Sequence, residues 1–178
     1  KFIVIRYRRR LDRELLLERL SAHFTAAIPF HIHRLRICDL ARSRTILATA
    51  EPLASPIPDL QQTAVDPVRE SFLTFDGFPH LEDQDFSRPW AELLREQGAA
   101  LGHRALAREL LGGYGLACGD GEGDVLAWGD FAGQYPLYVY EHRGWVAVAN
   151  RQRLLQAVLD DGALRFDALA FSWLSAQG

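Results

Sequence analysis

Apolar positions along this chain fall into two periods, and the period changes mark the elements. Residues 2–7, FIVIRY, are a nearly continuous apolar run of the kind that forms a buried strand, and Arg8-Arg9-Arg10 behind it read as a solvated strand exit. Residues 11–24 place Leu11, Leu15, Leu16, Leu20 and Phe24 on one stripe of helical period with charges between, which predicts an amphipathic helix. Residues 30–40 alternate in part, through Phe30, Ile32, Leu35 and Ile37, with a phase slip near His33 that predicts a bulged strand. Residues 45–50 form a further short strand. Residues 51–67 carry Pro52, Pro56, Pro58 and Pro67 and follow neither period, so they read as a long surface loop. SFLTF at 71–75 predicts a strand closed by Asp76-Gly77, a favoured turn pair. Ser87-Arg88-Pro89-Trp90 open a helix to about Gln97, and a second helix at about 104–111 is ended by Gly112 and Gly113.

From Tyr114 the pattern becomes a meander of four strands, YGLACG, VLAWGDF, PLYVYEH and WVAVAN, with DGEGD and HRG as turns. Strands so closely linked are expected to pair mainly antiparallel with their neighbours. A helix over 151–159 follows, and another over 167–175 takes Asp167 as its cap. Strands, helices, strands again and then helices suit a layered α+β domain.

Composition narrows the picture. A chain of 178 residues that is 48% hydrophobic can bury one proper core, so one domain is expected. The formal charge of −3 argues against nucleic acid as a partner, because phosphate neutralisation needs a surplus of basic side chains. Cys38 and Cys118 are too few for a disulfide framework and, inside strands, read as small buried hydrophobes. With no apolar leader and no long apolar run, no membrane partner is expected and the protein reads as cytoplasmic. There is no methionine, even at the first position, which suggests that residues once preceded Lys1. His31 and His33 could join Cys38 around a metal, but without a second clustered pair they read as solvated histidines. Asp120-Gly121-Glu122-Gly123-Asp124 reads as a hairpin turn, since Phe131 stands where a calcium loop needs its final Glu.

One stretch says more. GDFAGQYPLYVY followed closely by GWVAVANRQRLL resembles the amino-terminal glutaminase domain of asparagine synthetase and its relatives, β-lactam synthetase and lasso peptide cyclase. Asp130, Gly133, Pro136, Leu137 and Tyr138 sit at the family spacing; Val148-Ala149-Asn150 takes the place of Phe-Ala-Ser, and Arg151 stands where the family has Glu. FLTFDGF at 72–78 is similar to the family strand ending in Asn-Gly, and FDALAFSWLSAQG to the helix just before the synthetase domain. Residues 72–178 are covered; residues 8–70 match only by order of elements. The resemblance implies a four-layer αββα sandwich of two mainly antiparallel sheets, the Ntn-hydrolase architecture of class II glutamine amidotransferases. It also implies that residues 1–178 form one such domain and that a synthetase domain follows it.

The family's chemistry is expected to be degenerate here. Its nucleophile is an amino-terminal Cys activated by its own α-amine, and Lys1 stands in that place, with Phe2 where a Gly allows close approach. A frayed, exposed Lys1 is the expectation, since an activated lysine amine would need desolvation or a neighbouring cation. Asp76-Gly77 keeps one backbone donor of the family's Asn-Gly but sets a carboxylate where a neutral amide would face the oxyanion. The segment around Gly102-His103-Arg104-Ala105 lacks the acid that would hold the glutamine amine. The expectation is a domain with no catalytic residue, cofactor or metal of its own. It would support a synthetase domain of the same protein that uses ATP and magnesium to form an amide, with a homodimer as a further possibility. The alternatives are an active glutaminase whose Cys precedes Lys1, and a free-standing interaction module using the 51–67 loop or the Arg8 to Arg10 patch.

Overall fold

In the computed structural model of the chain, the described residues are 1–8, 12–27, 33–53, 61–82, 88–142 and 144–158. Phe2–Tyr7 forms β1, the central strand of a five-stranded sheet. It pairs antiparallel with β3 (Thr45–Pro52) on one side and β9 (Trp145–Ala149) on the other; β2 (His33–Leu40) and β8 (Tyr138–His142) complete the sheet in the order β2-β3-β1-β9-β8. A second antiparallel sheet has the order β4-β5-β6-β7, from Thr63–Asp66, Ser71–Gly77, Tyr114–Gly119 and Val125–Gly129. Four α-helices are described: α1 (Arg13–Ala27), α2 (Trp90–Leu101), α3 (His103–Glu109) and α4 (Gln152–Leu155).

The period of two explains the layers. On β1, Ile3, Ile5 and Tyr7 pack with Leu16, Leu20 and Phe24 of α1 and Leu154 and Leu155 of α4. Phe2 and Val4, on the opposite face, pack with Leu47 and with Phe72 and Ala117 of the second sheet. The other face of that sheet sets Leu73, Phe75, Leu116 and Cys118 against Trp90, Ala91 and Leu94 of α2 and Leu106 of α3. The protein is therefore a mixed α+β fold in which two antiparallel sheets face each other and helices cover their outer faces.

Several expectations need correction. The 51–67 stretch is not loop throughout, because Thr63–Asp66 pairs with β5 once the prolines are passed; residues 54–60 lie outside the described residues. Asp76 and Gly77 do not turn a hairpin. Both belong to β5 and pair with Gly115 and Tyr114, and the chain returns to β6 only after α2 and α3. The register of β2 on β3 runs unbroken from His33 to Leu40, so that span holds no bulge. Helix α2 continues past Gln97 to Leu101, where Gly102 with φ 86° ends it. The meander is divided: β6 and β7 form a hairpin in one sheet, β8 and β9 a hairpin in the other. The chain crosses between sheets at residues 130–137, where the Asp130 carboxylate accepts from the backbone N–H of Tyr114, Gln134 and Tyr135 and folds the loop onto β6. The helix expected over 151–159 is short, with a 3-10 turn, Gln156–Val158, after α4. The helix expected over 167–175 lies outside the described residues. The 120–124 segment is a hairpin turn, closed by Asp120 accepting from the N–H groups of Glu122 and Asp124.

Among the described residues, no helix is long and apolar enough to cross a membrane.

Candidate functional site

Three strand ends meet at one end of the space between the sheets: the start of β1, the end of β5 and the residues just past β9. Pairing of β1 with β9 aligns Ile3 with Ala149, which brings Asn150 beside Phe2. The Phe2 N–H donates to Asn150 Oδ1 at 2.8 Å, and the Asn150 N–H donates to the Phe2 carbonyl at 3.2 Å. Asn150 is buried, and its Nδ2 donates across to Asp76 Oδ2 at 2.8 Å, joining the two sheets.

Asp76 is the centre of this cluster. Its side chain is 8% exposed, and besides Asn150 it accepts from Lys1 Nζ at 2.8 and 3.1 Å and from an Arg151 guanidinium nitrogen at 3.4 Å. Burial alone would push the Asp76 carboxyl up. The Lys1 α-ammonium, the Lys1 side chain and Arg151 outweigh it and hold the carboxyl below its ordinary range. The Lys1 α-amino group donates to the Ala50 carbonyl at 3.0 Å. Its burial lowers its pKa from 8.0 to about 6, against the opposing pull of Asp76.

Lys1 is therefore not a frayed, exposed residue. Backbone bonds to Ala50 on one side and a carboxylate on the other hold it, and its side chain is 28% exposed. The surroundings that an activated amine would need are present in part, yet the Nζ is committed to both oxygens of Asp76. Two cations and a neutral amide saturate the carboxylate, so the cluster is a closed ion pair with no thiol or hydroxyl in it.

Gly77 supports the cluster from behind. Its φ of 95° is left-handed, and a Cβ there would lie 2.3 Å from the Gly113 carbonyl oxygen and 2.8 Å from the Tyr135 ring. The loops at 111–113 and 130–136 thus close tightly on the end of β5.

The other candidates lie apart. Cys118 is fully buried on the helix-covered face of β6, and burial pushes its thiol up to about 12. Cys38 is partly buried on β2. Gly102 and His103 form the α2–α3 junction and bring no carboxylate. His31 and the His33 side chain lie outside the described residues. Among the described residues, no group of three His, Cys, Asp or Glu could hold a metal ion. Two polar atoms of β3, Thr49 Oγ1 and Glu51 Oε1, are buried without a hydrogen-bond partner, and the Glu51 charge acts on the Lys1 amine.

Sequence reading missed Asn150 and the role of Arg151. The signal was present in the charges. A carboxylate at position 76 with cations at positions 1 and 151 is the charge set that an ion-paired cluster requires. No family model and no characterised protein matches this chain.

Proposed function

We propose that residues 1–178 are a non-catalytic glutaminase-like domain with Ntn-hydrolase architecture, belonging to an ATP-dependent amide-forming protein of the asparagine synthetase type. The observation that carries this reading is the Lys1–Asp76 ion pair. It fills the place where, on the resemblance, a nucleophile and an oxyanion donor would face each other. A carboxylate there opposes the negative charge that develops in amide hydrolysis, and an ammonium bound to it has no free electron pair. The facing sheets with helices outside, and the position of the cluster at their strand ends, support the architecture. In this reading the domain braces the synthetase domain or shapes its substrate entrance, while ATP and magnesium act in that other domain. The amine substrate would then bring its own nitrogen, as in β-lactam synthetase and lasso peptide cyclase.

The test uses the full-length protein. It should release no glutamate from glutamine above the uncatalysed background, and deleting residues 1–178 should impair folding or ATP-dependent amide formation by the remainder. Glutamine turnover that a thiol reagent abolishes would overturn the reading in favour of an active glutaminase.

A further inference from the structure

The far end of β1 carries a second polar site that the glutaminase reading does not use. Along β1, Phe2 and Val4 point between the sheets, and by the same alternation so does Arg6. The strand register then sets Arg6, Val146 and Glu141 in one row across β1, β9 and β8, on one face. The four-stranded sheet ends at β7 and leaves this part of the face open, as Val139, which pairs with Val148 in the next such row, shows by being 66% exposed. The β6–β7 turn forms the opposite wall with Asp124 and Val125, and the resulting cleft holds about 240 Å³.

Between Arg6 and Glu141, charge is separated across this cleft rather than paired. Arg6 and Glu141 stand two strands apart, roughly 10 Å between backbones, with the apolar Val146 between them. The Arg6 guanidinium lies against Gly123, where a Cβ would come within 2.6 Å of it, so the turn is shaped to admit that group. Its nearest acidic partner among the described residues, Asp124, lies 4.0 Å away and is 92% exposed, beyond hydrogen-bond reach and of little energetic value. Arg8, two positions on, also lines the cleft.

We propose that this cleft binds a small zwitterion, a molecule with a carboxylate and an ammonium group on a short carbon frame. The carboxylate meets Arg6 and Arg8, which offer planar paired donors; the ammonium meets Glu141; the carbon frame lies on Val146. A simple anion would gain the arginines but leave Glu141 without a partner, and a simple cation the reverse. The site is independent of the Lys1–Asp76 cluster, which lies about 17 Å away at the other end of the strand.

Calorimetric titration of the purified protein with glycine, β-alanine and γ-aminobutyrate, beside acetate and methylammonium, tests this directly. At least one zwitterion should bind about tenfold or more tighter than either singly charged compound, and the series reads the charge spacing the cleft prefers. Arg6→Gln and Glu141→Gln should each weaken that binding about tenfold with an unchanged melting midpoint. If Arg6→Gln does not fold, Glu141→Gln, exposed on an edge strand, decides alone. Equal affinity for acetate and the zwitterions, no saturable binding at millimolar concentrations, or a Glu141→Gln protein that binds like the parent would each overturn the proposal.

Discussion

Lys1 Nζ and Asp76 Oδ2 stand 2.8 Å apart although 75 positions separate them, and the contact ties the first strand of one sheet to the end of a strand in the other. Exposed ion pairs contribute little, and buried ones often fail to offset the cost of desolvation. This pair lies between those limits: Asp76 is nearly sealed, Lys1 is 28% exposed, and Asn150 occupies further acceptor capacity. Its main effect is positional. It sets the spacing of the two sheets at the end where their strands terminate.

Removing the carboxylate should therefore cost more than an ordinary surface substitution. Asp76→Ala leaves Lys1 and Arg151 facing each other over a small void and strips Asn150 Nδ2 of its acceptor; a loss of about 2–3 kcal/mol is expected. Asp76→Asn keeps the shape and an acceptor oxygen and should cost about 1–2 kcal/mol. Urea unfolding midpoints at an unchanged slope measure both. An Asp76→Asn protein more stable than the parent would mean that the pair costs more than it contributes.

The same cluster sets two pH windows. Asp76 has a folded-state pKa below its ordinary 3.8, so its stabilisation is complete above that value and is lost as pH falls through the depressed folded value. In a chain that begins at Lys1, its α-amine behaves differently. With a folded value of about 6 against 8.0, the unfolded chain binds a proton between those pH values that the folded chain does not, so stability should rise with pH across that window. A shift of this size corresponds to about 2–3 kcal/mol. Because Lys1 is the lone lysine of the chain, carbon-13 lysine labelling isolates it. In the chain beginning at Lys1, its α-carbon should titrate near pH 6, and a midpoint near 8 would count against the buried amine.

Local pattern carried much of the fold and little of the site. FIVIRY reads as a buried strand because every position but Arg6 is buried; of the helical stripe Leu11, Leu15, Leu16, Leu20 and Phe24, the last three meet the sheet, Leu15 is 42% exposed, and Leu11 lies outside the described residues. The failures arise where long-range pairing overrides local chemistry. Asp76-Gly77 has the composition of a hairpin turn, but its φ > 0 glycine serves close approach to Gly113 instead. Strands β7 and β8, neighbours in sequence, part because Asp130 anchors the loop between them to Tyr114. Thr63–Asp66 is too short and too close to prolines to show a period, and its pairing with β5 defines it. The resemblance put Lys1 and Asp76 at one expected site, but neither their ion pair nor the part of Asn150 was legible, since only register and sheet packing bring position 150 to them.

The cysteines offer a chemical check on burial. Cys118 has no exposed surface and a thiol pushed up to about 12, so it supplies almost no thiolate at neutral pH. Iodoacetamide on the native protein should leave it unmodified for as long as the fold persists, and label it promptly in denaturant. Peptide mass mapping distinguishes it from Cys38, which is only partly buried. Native labelling of Cys118 at the rate of Cys38 would show that the helices over β6 open readily.

Two glycines separate conformational strain from crowding. Gly77 and Gly133 both have positive φ, 95° and 66°, so alanine at either bears a backbone penalty. At Gly133 a Cβ meets nothing within 4 Å, and Gly133→Ala should cost about 1 kcal/mol from the backbone alone. At Gly77 the same methyl group would press on the Gly113 carbonyl and the Tyr135 ring, neither of which can retreat without shifting β6 or the 130–136 loop. Gly77→Ala should cost about 3 kcal/mol or more, since crowding adds to strain. It should also disturb the Lys1–Asp76 contact one residue away, visible as a loss of the acid-side stability change assigned to Asp76. Equal costs at the two positions would show that backbone conformation alone matters at Gly77, and that the close approach of the 111–113 loop is not what holds the end of β5 in place.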